Sequence, residues 1–307
     1  MKNTINFYYN IFLDEFVKKD NCYYFYYGGD EYYFVPLNRP TDDILGIYKL
    51  NLEMKKRKCL VHELILNKDK SIITVVSGIS YVLIRLCKYK NDKVFLNDIN
   101  YIQNMTVNIE CDKSLIRNDW IKLWSEKIDY YEYQISQVGK KYPLLCDSLS
   151  YFIGMGENAI SYLVNNLNSK INVNLVVSHK RIYQERGSLN FYNPLNFVVD
   201  SRVRDVAEFI KETFYNKTLK LCDLKAYFNI ANLNKNEYIL LFGRLLFPTY
   251  YFDIYDDIIN NDKSEELVIN IIDRTDEYES MLNTIYKFIL YEKKVQLEPI
   301  EWLQDKN

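Results

Sequence analysis

Glycine, proline and histidine are all scarce in this chain of 307 residues, which holds 9, 6 and 2 of them. No Pro/Gly/Ser-rich linker separates independent domains and no internal repeat is visible, so the length reads as one large domain or two lobes. The two histidines, His62 and His179, have no cysteine cluster beside them and offer no transition-metal site. The six cysteines, Cys22, Cys59, Cys87, Cys111, Cys146 and Cys222, never stand in Cys-x-x-Cys spacing, so neither a zinc site nor a redox pair is implied. The N-terminus lacks a continuous apolar signal core. The most apolar run, Ile72 to Cys87, is broken by Ser77, Gly78, Ser80 and Arg85, so it reads as buried strands and no membrane span is expected. The thiols are therefore expected to stay reduced in a cytosol. A net charge of −2 leaves no positive excess to neutralise phosphates, and nucleic acid is not expected as a partner.

What is plentiful is tyrosine, with 29 copies beside 16 phenylalanines. Asn, Ile and Lys are abundant too, and all share A/T-rich codons, so one reading is genome composition with ordinary packing consequences. The other is a tyrosine-rich surface that joins a protein assembly, since tyrosine offers large contact area at low entropic cost. The basic run Lys55-Lys56-Arg57-Lys58 reads as a solvated helix end.

The first third alternates strands with one helix. Aromatic runs on either side of Gly28-Gly29 predict a β-hairpin over 21–37, with the glycines as turn rather than nucleotide loop. Ile44, Ile47, Tyr48, Leu50 and Met54 predict an amphipathic helix over 42–58, begun by a Thr41 cap. Strands follow at 61–66 and 72–86 around a turn at 67–70. A charged, turn-rich connection, Lys88-Tyr89-Lys90-Asn91-Asp92-Lys93, then leads to a helical remainder, giving lobes of 1–92 and 93–307. Trp120, Leu123, Trp124, Ile128, Tyr131 and Ile135 share one face of a helix over 115–138, and Pro143 begins another. Further helices are expected over 203–214, 234–246, 251–259 and 276–291.

The chemistry-bearing stretch is Val173 to Ile182, a short apolar segment ending in Ser178-His179-Lys180-Arg181. Ser178 and His179 as a nucleophile and base are disfavoured, because adjacent residues rarely reach each other in that geometry, and an imidazole bonded to the loop backbone fits His179 better. His62 also reads as structural. Downstream, Phe197-Val198-Val199-Asp200 closes an apolar strand with a carboxylate. Asp200 is the metal-ligand candidate, in competition with Asn190 in Leu189-Asn190-Phe191; as a lone carboxylate it equally suits an N-cap for the helix containing Arg204 to Ile210.

Five segments together resemble the YutH branch of the CotS-type spore coat proteins, kinase-homologous proteins of endospore-forming Firmicutes. They are Gly154-Met155-Gly156-Glu157-Asn158-Ala159-Ile160-Ser161-Tyr162, Ser178-His179-Lys180-Arg181, the run from Asn193 to Ile210, Arg244-Leu245-Leu246-Phe247-Pro248, and Pro299-Ile300-Glu301-Trp302-Leu303. The resemblance implies an α+β, two-lobed fold of the aminoglycoside-phosphotransferase kind, with a small antiparallel β N-lobe and a mainly helical C-lobe. It also implies other spore coat proteins as partners and a place in the mother-cell cytoplasm or the spore coat. Aminoglycoside-type kinases carry His-Gly-Asp where this chain has His179-Lys180-Arg181, and their Asp takes the acceptor's proton. Arg181 is a permanent cation that can neither accept a proton nor ligate Mg²⁺. Such kinases also place a Lys on an N-lobe strand and an Asn five residues beyond the base. Glu31 to Leu37 contains no Lys, and that later position is Arg186. Asp205 resembles the structural Asp of their Asp-Leu-Ala segment. Two functions are therefore expected to compete: a pseudokinase scaffold of the coat, or an atypical phosphotransferase using ATP and Mg²⁺ through Asp200 and Asp205.

Overall fold

The aromatic runs around Gly28-Gly29 close into a hairpin because both glycines take positive φ, 60° and 85°, as a tight two-residue turn between twisted strands requires. The computed structural model describes residues 1–19, 21–89, 91–167, 174–185, 187–297 and 299–304. In chain order its elements begin with α1 (Lys2–Tyr9), β1 (Val17–Lys19), β2 (Cys22–Tyr27), β3 (Asp30–Pro36), α2 (Ile44–Lys56), β4 (Glu63–Ile65), β5 (Thr74–Val76) and β6 (Ile79–Arg85). Next come α3 (Leu96–Met105), α4 (Trp120–Val138), α5 (Pro143–Asn166), β7 (Leu175–His179), the short α6 (Ser188–Phe191) and β8 (Phe197–Ser201). Helices α7 (Val203–Tyr215), α8 (Leu221–Ala231), α9 (Lys235–Leu246), α10 (Thr249–Asn261), α11 (Ile269–Ile272), α12 (Thr275–Lys287) and α13 (Glu301–Gln304) complete it.

Contacts group these elements into two compact units, Met1–Arg117 with Asn174–Arg202, and Asn118–Val173 with Val203–Asn307. In the first, an antiparallel sheet runs β1-β2-β3-β6-β4, and β5 also pairs with β6. One face buries Phe25, Phe34, Tyr81 and Leu83 against Ile5 of α1 and against Ile11 and Leu13. Phe34 and Tyr81 stack at 4.8 Å, a pairing worth about 0.5–1.5 kcal/mol beyond burial alone. Helix α2 buries Ile44, Ile47, Leu50 and Met54, the stripe its spacing anticipated. Its start differs from expectation: Thr41 opens a 3₁₀ turn, Thr41–Asp43, and makes no side-chain cap bond. Residues 86–89 and 91–95 form neither helix nor strand.

The second unit is built of helices. Gly156 lets α5 approach α4 so closely that an added Cβ would lie 3.0 Å from Ile128 Cδ1. Helix α4 starts at Trp120 rather than at Leu115, which occupies a separate 3₁₀ turn, and Leu123 lies off the buried stripe. Helices α7 and α9 meet through buried charge: Arg244 Nε donates to Glu208 Oε1 at 2.9 Å, and its guanidinium lies 4.7 Å from the centroid of the Trp120 ring. Lys211 Nζ donates to the Phe247 carbonyl at 2.9 Å and to Thr249 Oγ1 at 3.0 Å, so its buried ammonium is satisfied by hydrogen bonds. At the other end of α7, Arg274 Nη1 donates to the carbonyls of Phe214 and Tyr215, closing orphan acceptors of that helix end.

The candidate functional site

The segment singled out by sequence is an antiparallel hairpin. β7 and β8 pair with His179 opposite Phe197, Ser178 opposite Val198, and Val176 opposite Asp200. Side chains alternate along a strand, so Ser178 and Asp200 share one face and His179 takes the other. That alternation separates the Ser178 hydroxyl from the His179 ring. His179 is fully buried, and its Nε2–H donates to the Phe191 carbonyl at 2.7 Å. Its ring stacks on Phe191 at 4.4 Å and meets the edge of Phe197 at 5.3 Å. The Ser178 hydroxyl is buried with no hydrogen-bond partner among the described residues.

Arg181 follows the strand. Its Nη1 donates to the Lys180 carbonyl at 2.7 Å, and its own carbonyl accepts from Asn196 Nδ2 at 3.1 Å. Asp200 is fully buried in β8, and its Oδ1 accepts the Ser201 N–H at 2.6 Å. Asn190, the competing metal-ligand position, is exposed in α6. Arg186 lies outside the described residues. Asp205 stands in the first turn of α7, almost fully buried, where a carboxylate complements the helix dipole.

Side chains from elsewhere in the first unit clamp this hairpin. Arg39 Nη1 donates to the carbonyls of Phe197 at 2.7 Å and Leu195 at 3.1 Å. Thr106 Oγ1 accepts the Val177 N–H at 3.0 Å, and Gln103 Nε2 donates to the Arg202 carbonyl at 2.6 Å. His62 joins three segments at once. Its Nδ1 accepts the Cys87 N–H at 3.1 Å, which fixes the other tautomer nitrogen as the donor to Leu189 O at 3.1 Å. Burial holds this imidazole down at about 4, against the opposing effect of the Leu189 bond, so it is neutral at pH 7. Sequence reasoning placed His62 as structural but missed Arg39, Gln103 and Thr106. The one local hint for Arg39 was its spacing to Asp43, whose Oδ2 accepts from Arg39 Nε at 3.1 Å.

A cleft of about 390 Å³ lies between the β2–β3 turn and the segment after β6, lined by Tyr26, Gly29, Asp30, Glu31, Cys87 and Lys88 among others. The hydroxyls of Tyr24 and Tyr26 both bond to Glu31. Two carboxylates against one ammonium make this lining a poor match for a polyphosphate. The rest of the unit fits a magnesium nucleotide no better. β3 carries no lysine, and the third residue of the loop is a guanidinium. Among the described residues no three His, Cys, Asp or Glu side chains converge to hold a metal.

A family model described as "Spore coat putative kinase YutH" matches residues 2–285. The chain belongs to the YutH spore coat family. Within it, the Endospore coat-associated protein YutH of Bacillus subtilis (strain 168) is 28% identical over 206 residues, 60% of this chain. The match spans 61% of that protein's length. Among solved structures, an aminoglycoside phosphotransferase from Alicyclobacillus acidocaldarius subsp. acidocaldarius DSM 446 aligns with a TM-score of 0.65, at 10% identity, over 94% of this chain and 96% of that one. The AMP-bound spectinomycin phosphotransferase APH(9)-Ia aligns with a TM-score of 0.55, also at 10% identity, over 82% and 88% of the two chains. At such identities the likeness shows the fold alone. The YutH family chain therefore has the aminoglycoside-phosphotransferase-like kinase fold, with a small antiparallel N-terminal sheet and a mainly helical remainder. No helix among the described residues is long and apolar enough to cross a membrane.

Proposed function

We propose that this chain is a pseudokinase of the spore coat, a scaffold that binds other coat proteins and carries out no efficient phosphoryl transfer. The observation that carries this reading is Arg181, a permanent cation at the position of the proton acceptor, on a hairpin whose backbone is otherwise firmly held. The lysine-free β3 points the same way, because two independent losses each remove orders of magnitude in rate. In this reading the lobes are 1–92 and 93–307, and the protein works in the mother-cell cytoplasm before or during coat assembly.

An atypical phosphotransferase remains as a second reading, favoured by the buried carboxylate of Asp200 at the end of β8. Thermal unfolding with millimolar ATP and Mg²⁺ separates the two. The scaffold reading expects no Mg²⁺-dependent rise in Tm, since only a ligand of the folded state stabilises it. A rise that Asp200→Ala abolishes would overturn it. In spores lacking the chain, the Asp200→Ala protein should restore the normal pattern of extractable coat proteins; failure of a stably folded variant to do so would favour the enzyme.

A further inference from the structure

Beside Arg181, three further cations act at the β7–β8 hairpin, Arg39, Lys180 and Arg117, with the Asp43 carboxylate among them. Arg39 is the most enclosed, its side chain 1% exposed. Asp43 takes its Nε and two carbonyls take its Nη1, but Nη2 is buried without an acceptor among the described residues. Arg117 donates its backbone N–H to the Val199 carbonyl at 2.9 Å and its Nη1 to the carbonyls of Ser114 and Ile116. Alternate carbonyls of a strand point the same way, so Arg39 at Phe197 and Arg117 at Val199 flank one edge of β8, roughly 7 Å apart along it. Lys180 stands just beyond β7, its N–H on the Asn196 carbonyl at 2.8 Å, one residue from Phe197. Its ammonium is part-buried and makes no side-chain hydrogen bond and no ion pair within 4 Å among the described residues. Burial first, then the repulsion of Arg39 and Arg117, brings it down to about 8 in spite of Asp43. Among the charges that act on Lys180, two cations oppose a single carboxylate, Asp43, so an anion is favoured beside it.

We propose that the Lys180, Arg117 and Arg39 cluster binds a phosphoryl group, carried by free phosphate, by a small phosphomonoester or by a phosphorylated side chain of a partner protein. A dianion with three terminal oxygens matches both the charge and the separate donors, whereas a carboxylate supplies one charge and two oxygens. Lys180 and Arg117 are both part-exposed and supply donors to the group, and the enclosed Arg39 adds its charge. Bound phosphate restores the full charge of Lys180, so binding takes up a proton near pH 8 and weakens above it. The site needs neither a metal nor a nucleotide, and it stands whether or not the chain transfers phosphate.

The test is calorimetric titration of the full chain with inorganic phosphate at pH 7, without Mg²⁺, against sodium chloride of equal ionic strength. Saturable binding is expected, weakened about tenfold or more in Lys180→Met and largely kept in Lys180→Arg. Lys180→Met removes a part-buried cation for which burial and the repulsion of Arg39 and Arg117 outweigh the attraction of Asp43, so its Tm should be no lower than that of the parent, which excludes misfolding as the cause. Raising the pH from 7 to 9 should weaken binding in the parent and not in Lys180→Arg. Tighter binding of a phosphoserine peptide than of a sugar phosphomonoester assigns the group to a partner protein, and the reverse assigns it to a metabolite. Equal phosphate binding by the parent and Lys180→Met, or no binding beyond the chloride control, would overturn the proposal.

Discussion

His62 provides a stability switch that follows from its burial. The imidazole is fully enclosed and neutral, donating to Leu189 O and accepting from Cys87 N–H, and burial lowers it from 6.5 to about 4. The unfolded chain therefore binds a proton below pH 6.5 that the native chain refuses until about pH 4, so stability is full above 6.5 and falls as pH drops through that window. At pH 5 the loss from this one group is about 2 kcal/mol, rising to about 3 kcal/mol below pH 4. His62→Gln keeps one donor and one acceptor but cannot titrate. In urea unfolding followed by circular dichroism, the parent should lose about 2 kcal/mol more than His62→Gln between pH 8 and pH 5. With a slope near 2 kcal/mol/M, that difference shifts the midpoint by about 1 M. Parallel pH profiles for the two proteins, or an imidazole resonance of His62 titrating near 6.5, would refute the reading that burial holds this imidazole neutral.

Other substitutions probe other contacts. Gly243→Ala should lower stability by about 1–3 kcal/mol, because a Cβ there would stand 2.3 Å from Leu163 Cδ2; adding Leu163→Ala should relieve the clash, as a lower loss in the double variant than the sum of the two singles. Asn51→Leu should cost about 2–4 kcal/mol by urea titration, since Asn51 Nδ2 donates to the His62 carbonyl and its Oδ1 accepts the Leu64 N–H, both buried. Arg244→Met should cost about 3–5 kcal/mol by leaving the Glu208 carboxylate buried with a weaker pairing, Lys211 at 3.7 Å, and Arg244→Lys should recover only part of the loss in Tm.

The elements that sequence made legible are those whose signal is local. The Gly28-Gly29 hairpin, α2 and the helix beginning at Pro143 each carry their pattern within a dozen residues, and the structure follows it. Helix α1 escaped because Ile5 is its one buried residue, and α8 because its buried residues, Leu224, Tyr227, Phe228 and Ala231, sit in a segment without an N-cap bond. At the site, the apolar segment before His179 and the apolar strand closed by Asp200 could be read from the run of residues around them, but not that the two pair as one antiparallel hairpin. The supports of that hairpin could not. Arg39 reaches carbonyls 156 and 158 residues away, and Gln103 reaches one 99 residues away, separations at which no periodicity or motif carries information.

Every one of those supports, Arg39, His62, Gln103 and Thr106, lies outside the loop it holds. The fold has thereby separated the keeping of a shape from the contents of that shape. Side chains at positions 180 and 181 could be exchanged over time without loosening the hairpin, which gives a lineage a way to abandon one chemistry and try another on an intact frame.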